Sequence, residues 1–74
     1  MNKKLEFGQF RTAVVGVGAM GQNHARIYSE ISNLVAVVDT DEDQGRKVAE
    51  RFGVDWHSDY HEILDKVDAV TVSV

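Results

Sequence analysis

Cysteine and proline are both missing from this chain of 74 residues. Without cysteine there is no disulfide staple, no thiolate metal site and no thiol redox centre. Long apolar runs are missing too. None approaches the roughly 18 residues that a membrane-spanning helix needs. Residues 1–10 hold Lys3 and Lys4 but no apolar stretch of the kind that makes a signal peptide. The expectation is therefore no membrane partner and a cytoplasmic location. Basic charge is scarce. Eight lysines and arginines stand against twelve aspartates and glutamates, for a formal net charge of −4. The cations are scattered, which argues against a nucleic-acid partner. Length is short as well. A domain of this size buries only about 60% of the surface its unfolded chain exposes. The chain is either a compact small fold or part of something larger.

What is present is an alternation of two hydrophobic periods. Val14-Val15-Gly16-Val17, after Arg11-Thr12-Ala13, is a β-branched, nearly continuous apolar run and predicts a strand buried on both faces. From Met20 the period becomes helical, with Met20, His24, Ile27 and Ile31 on one stripe, and Ser32-Asn33 ends the helix. Leu34 to Val38 predicts a second strand, closed by Asp39. Thr40 is the expected cap of a second helix, with Asp41, Glu42 and Asp43 in its first turn. Gly45, Val48, Ala49 and Phe52 form the inner face of that helix, and Gly53 is its stop. Val54-Asp55-Trp56 reads as a weak third strand with Trp56 at its edge. Asp59 and Glu62 resemble a capping box for a short helix through Lys66, with Tyr60, Ile63, Leu64 and Val67 facing inward. Residues 69–74 predict a fourth strand. The order β-α-β-α-β-α-β implies a parallel sheet in a doubly wound α/β fold with right-handed crossovers.

Gly16-Val17-Gly18-Ala19-Met20-Gly21 has the G-x-G-x-x-G spacing. Alone that spacing is weak, because glycine is common in turns. Here a strand precedes it, a helix begins inside it, and an acid, Asp39, ends the next strand. In this reading Gly16 permits the turn, Gly18 lets a pyrophosphate approach the backbone, and Gly21 lets the helix pack closely. The first turn of the helix, with Ala19, Met20, Gln22 and Asn23, holds no acid, so its free N–H groups are left for phosphate. Met20 reads equally well as a packing residue. Asp39 is expected to accept hydrogen bonds from the adenosine ribose and to repel a 2′-phosphate. Thr40 follows where an arginine would suit NADP. With Asp41, Glu42 and Asp43 next to it, this corner favours NAD over NADP. Ser73, near the end of the fourth strand, is expected close to the cofactor, with direct contact one of two alternatives.

The run from Val15 to Arg26, with its Met20-Gly21-x-x-His24-x-Arg26 extension, resembles the N-terminal signature of the Gfo/Idh/MocA (glucose–fructose oxidoreductase / inositol dehydrogenase) family. The resemblance continues through Val37-Val38-Asp39, Ala49-Glu50-Arg51-Phe52-Gly53, Asp59-Tyr60-x-x-Ile63-Leu64 and Asp68-Ala69-Val70. The stretch from His24 to Glu30 is most similar to members of the UDP-N-acetylglucosamine 3-dehydrogenase type. The resemblance implies a Rossmann fold with strand order 3-2-1-4 and the cofactor between strands 1 and 4. It also implies an NAD(P)-dependent oxidoreductase acting on a sugar, cyclitol or sugar nucleotide, homo-oligomeric at full length. A catalytic lysine in a Glu-Lys-Pro motif and a second, substrate-binding domain are implied beyond Val74. Residues 11–74 are thus expected to be the first half of the dinucleotide-binding domain, after a leader at 1–10. No catalytic residue is assigned, and the 74 residues are expected to be poorly stable and inactive alone.

The remaining chemistry-bearing side chains have plainer readings. His24 is expected to pack against the sheet. His57 and His61 have a metal-compatible i, i+4 spacing but no third ligand, and are expected to be solvent-exposed, so no metal is assigned. The competing function is a non-catalytic, regulatory nucleotide-binding module. The Met20-Gly21-x-x-His24 extension argues against it.

Overall fold

The computed structural model describes residues 9–73. Residues 1–8 of the expected leader, and Val74, lie outside the described residues. Strand β1 (Arg11–Val15), helix α1 (Ala19–Ile31), β2 (Asn33–Val38), α2 (Glu42–Phe52), β3 (Asp55–His57), a single 3-10 turn (Tyr60–Ile63) and β4 (Ala69–Val72) follow in that order. The four strands are parallel in the order β3-β2-β1-β4, as the resemblance implied.

Right-handed crossovers decide which helix lies on which face. The connections β1-α1-β2 and β2-α2-β3 step the same way along the sheet, so both helices cover one face. Val14, Val17, Leu34 and Val37 meet Ala25, Val48 and Ala49 there, with Tyr28, Phe52, Val54 and Trp56 at the margin. The connection from β3 returns past β1 to β4, so the 3-10 turn lies on the other face. Its Ile63 is fully buried against Ala13, Ala36 and Val38. The register between β1 and β2 shifts by one residue after Thr12. That shift places Val35 and Ala36, adjacent in the chain, on the same Ile63 side.

Several local expectations are corrected. The inner face of α1 is Gly21, Ala25 and Tyr28, not the stripe through Met20, Ile27 and Ile31, which are exposed, Met20 by 65%. Small residues face the sheet because the helix lies close to the β1 turn. A Cβ on Gly21 would stand 1.8 Å from the Gly16 carbonyl oxygen. His24 is accordingly only half-buried. The cap of α2 is Asp41, whose carboxylate accepts from Gln44 N at 3.1 Å, so Thr40 lies one residue before the cap. Gly53 does stop α2, in the left-handed conformation. Asp59 caps only a 3-10 turn, and Glu62 reaches towards His57 instead of back to the cap. Tyr60 and Leu64 are exposed, because nothing among the described residues covers them. The fourth strand forms over Ala69–Val72, and most of it is exposed. Thr71 is half-buried under α1 and hydrogen-bonded to the Tyr28 hydroxyl, while Val70 and Val72 are exposed.

Candidate functional site

The carboxyl ends of β1, β2 and β4 converge on Gly16. Gly16 N donates to Val38 O at 2.7 Å, and Ser73 N donates to Val15 O at 2.7 Å. Gly16 has φ +88°, a left-handed value that L side chains rarely adopt. A Cβ there would also stand 1.9 Å from Ser73 O, so the turn has no room for one. Gly18 differs. A Cβ on it would meet nothing within 4 Å, so its backbone is open to an approaching group. Gly18 is also the N-cap position of α1, which has no side-chain cap and no acid in its first turn. Such a helix start presents unpaired N–H groups and a positive dipole end.

Asp39 is fixed through all of its polar groups. Its N–H donates to His57 O at 3.1 Å, and its carbonyl accepts Trp56 Nε1 at 3.0 Å. Its carboxylate accepts from Val17 N through Oδ2 and from Asp41 N through Oδ1, each at 2.9 Å. A carboxylate has about four acceptor positions, so capacity remains on each oxygen for hydroxyl donors. The Trp56 indole lies across Gly45 of α2, where a Cβ would come within 2.2 Å of it, and the Arg46 guanidinium stacks on the ring at 4.9 Å.

A cleft of about 420 Å³ opens beside this carboxylate, lined by Val15, Gly16, Val38, Asp39, Thr40, Ser58, Asp59 and Tyr60. Of the residues singled out from sequence, Gly16, Asp39 and Thr40 line it. Gly18, Ala19 and Met20 are exposed at the α1 start next to it, and Gly21 is buried beneath the turn. Ser73 lies under Gly16 with its backbone and against Gly21 with its Cβ. Ser58, Asp59 and Tyr60 were not anticipated as lining residues. The available signal was position, since residues just past the carboxyl end of a parallel strand form the ligand-binding edge. The Asp59 carboxyl is held below its usual range, chiefly by the hydrogen bond from His61 N and then by the His61 ring, so the cleft is acidic on that side. His57 departs from expectation. Its side chain is 18% exposed, its Nδ1 is 3.6 Å from Glu62, and its Nε2 is buried without a hydrogen-bond partner among the described residues. No group of three potential metal ligands occurs among the described residues, and no helix there is long and apolar enough to cross a membrane.

Residues 10–74 match the model of the oxidoreductase family described by its NAD-binding Rossmann fold. UDP-N-acetylglucosamine 3-dehydrogenase of Acidithiobacillus ferrooxidans is 36% identical over 62 residues, covering 84% of this chain and 20% of the relative. The chain therefore spans about a fifth of that relative's length. The solved structure of UDP-N-acetylglucosamine 3-dehydrogenase GnnA from Acidithiobacillus ferrooxidans superposes with a TM-score of 0.85 at 33% identity, over 89% of this chain and 22% of the other. GenD2 from gentamicin A biosynthesis, solved in complex with NAD, superposes with a TM-score of 0.84 at 37% identity, over 89% of this chain and 20% of the other.

Proposed function

The chain belongs to the Gfo/Idh/MocA oxidoreductase family, in its NAD-binding Rossmann part, and from that premise we propose that residues 11–73 form the adenosine and pyrophosphate half of the NAD site of a sugar or nucleotide-sugar dehydrogenase. The observation that carries this assignment is the pairing of two features around Val17. The α1 start is uncapped, free of acid and open at Gly18. The Asp39 carboxylate is bonded to Val17 N, one residue away, with acceptor capacity to spare. The first suits a pyrophosphate and the second a ribose diol. The cleft lined by Thr40, Ser58, Asp59 and Tyr60 then receives the adenosine end.

NAD supplies the hydride-accepting ring when bound. This chain's residues bind and orient. Gly16, Gly18, Ala19, Met20 and Gly21 shape the phosphate loop, Asp39 and Thr40 meet the ribose side, and Ser73 supports the loop from β4. Asp39, Asp41, Glu42 and Asp43 make the ribose corner acidic, which opposes the 2′-phosphate of NADP. The names of the relatives support a sugar or sugar-nucleotide substrate for the whole protein. A cytoplasmic, homo-oligomeric enzyme is consistent with that reading.

Calorimetric titration of the 74-residue chain with NAD and with NADP tests the assignment. NAD is expected to bind the more tightly, with a change in Trp56 fluorescence, because the indole N–H is bonded to the Asp39 carbonyl. Sugar-dependent NADH formation by this chain alone is not expected. Tighter binding of NADP than of NAD would overturn the cofactor preference. No binding of either to folded chain would overturn the site.

A further inference from the structure

Side chains as well as glycines hold the loop between β1 and α1. Val17 is fully buried, and its peptide groups are gripped on both sides. Its N–H donates to Asp39 Oδ2 at 2.9 Å. Its carbonyl accepts Gln44 Nε2 at 2.7 Å and Gln22 Nε2 at 3.2 Å, which uses both lone pairs of the oxygen. The bonds close a ring. Asp39 Oδ1 accepts Asp41 N, Asp41 Oδ1 accepts Gln44 N, and the Gln44 side chain returns to Val17. The start of α2 is thereby tied to the glycine loop.

We propose that Gln44, supported by Gln22, is a positioning residue of the NAD site, one that orients the peptide between Val17 and Gly18. This rests on the site assignment above. The reason lies in the planarity of the peptide. Across a trans peptide the carbonyl of one residue and the N–H of the next point in opposite directions. Fixing Val17 O on the two glutamines therefore turns Gly18 N–H away from them. Gly18 is where the backbone is open. The preceding peptide is fixed in the same manner. Asp39 holds Val17 N–H, and the Gly16 carbonyl lies against Gly21 on the other edge. Both peptide planes are set before a phosphate arrives, so binding costs no rearrangement of the loop.

The test compares the wild-type chain with Gln44→Met and with the doubly substituted Gln22→Met/Gln44→Met. ADP and adenosine are the probes, and thermal unfolding is followed in parallel. Adenosine carries the ribose and base but no phosphate. The double variant is expected to bind ADP about tenfold more weakly, with adenosine affinity unchanged. An equal loss for both probes would mean a merely structural role and would overturn the proposal, as would unchanged ADP binding. Should the double variant not fold, Gln44→Glu replaces it, since an ionised carboxylate of the same size cannot donate to Val17 O. The Gly18 amide resonance and its relaxation, measured without ligand, separate this proposal from the site assignment. A Gly18 amide that becomes mobile in Gln44→Met supports the clamp even if wild type binds no ADP. A Gly18 amide that is unchanged overturns the clamp even if wild type binds.

Discussion

Gly16 and Gly18 stand two residues apart and are glycine for opposite reasons. At Gly16 the protein itself occupies the space. The left-handed φ and the Ser73 carbonyl, 1.9 Å from a would-be Cβ, both act in the folded chain before any ligand is present. At Gly18 nothing of the protein is near, which leaves its backbone open for the proposed pyrophosphate. Gly16→Ala is therefore expected to cost about 2 kcal/mol or more in folding, roughly 8–16 °C in Tm for a domain of this size. Gly18→Ala is expected to leave Tm within about 2 °C and to weaken NAD by at least about tenfold, since its methyl fills the approach. Thermal melts and calorimetric titration of the two variants check both halves. A destabilised Gly18→Ala that binds NAD normally would contradict the division. Spacing, together with the strand before the glycines, the helix that begins among them and the strand that Asp39 ends, makes these residues legible, because turn, helix start and strand end are local events. Gln44, Ser58 and Tyr60 were not legible. They reach the site only through the packing of α2 and the return of the chain after β3.

At the scale of elements, the strands and both long helices could be read from hydrophobic period, and the errors were of phase and of caps. The stripe through Met20, Ile27 and Ile31 is the more apolar one, yet α1 turns Gly21, Ala25 and Tyr28 to the sheet. Closeness to the β1 turn outweighs side-chain bulk there, and closeness is a tertiary fact with no signal in a period. At α2 the competition was between adjacent residues that can both cap. Asp41 prevails because its carboxylate reaches Gln44 N while its own N–H bonds Asp39, whereas Thr40 is exposed at the cleft. Asp41→Ala is expected to cost about 1 kcal/mol, and Thr40→Ala to change stability by less than about 0.5 kcal/mol. Urea unfolding of both variants checks the order. Equal losses, or the larger loss at Thr40, would return the cap to Thr40. After β3 the Asp59/Glu62 pair resembles a capping box and predicts a short helix through Lys66. Of its four expected inward residues only Ile63 is fully buried and Val67 partly so, and a single 3-10 turn forms.

Among the described residues the sheet has one well-covered face and one partly covered face. Tyr60, Leu64, Val70 and Val72 gather with Val15 around an apolar hollow of about 240 Å³ on the second face. The edge β4 is therefore held more by polar and backbone bonds than by burial. Its hydrogen bonds to β1 are one support, and the Tyr28–Thr71 bond is another. The third lies at the entry to both strands, where Asp68 Oδ2 accepts Arg11 N at 2.8 Å and Oδ1 accepts the Arg11 guanidinium at 3.2 Å. These bonds hold the Asp68 carboxyl below its usual range, the Arg11 side chain contributing most and the Arg11 backbone N–H next. A carboxyl depressed in the folded state binds fewer protons there than in the unfolded chain, so stability rises with pH across the interval between the two values. Its contribution is complete above the ordinary aspartate range and is lost as pH falls through the lower, folded value. Asp59, depressed by His61, acts in the same direction. Asp68→Asn is therefore expected to melt below wild type at neutral pH by a constant margin, and the margin is expected to close as acid protonates Asp68 in the wild type. Melts of the two proteins from neutral to strongly acid pH read this directly. A margin that stays open in acid would mean that β4 is held by the shape of the Arg11 contact and not by its charge.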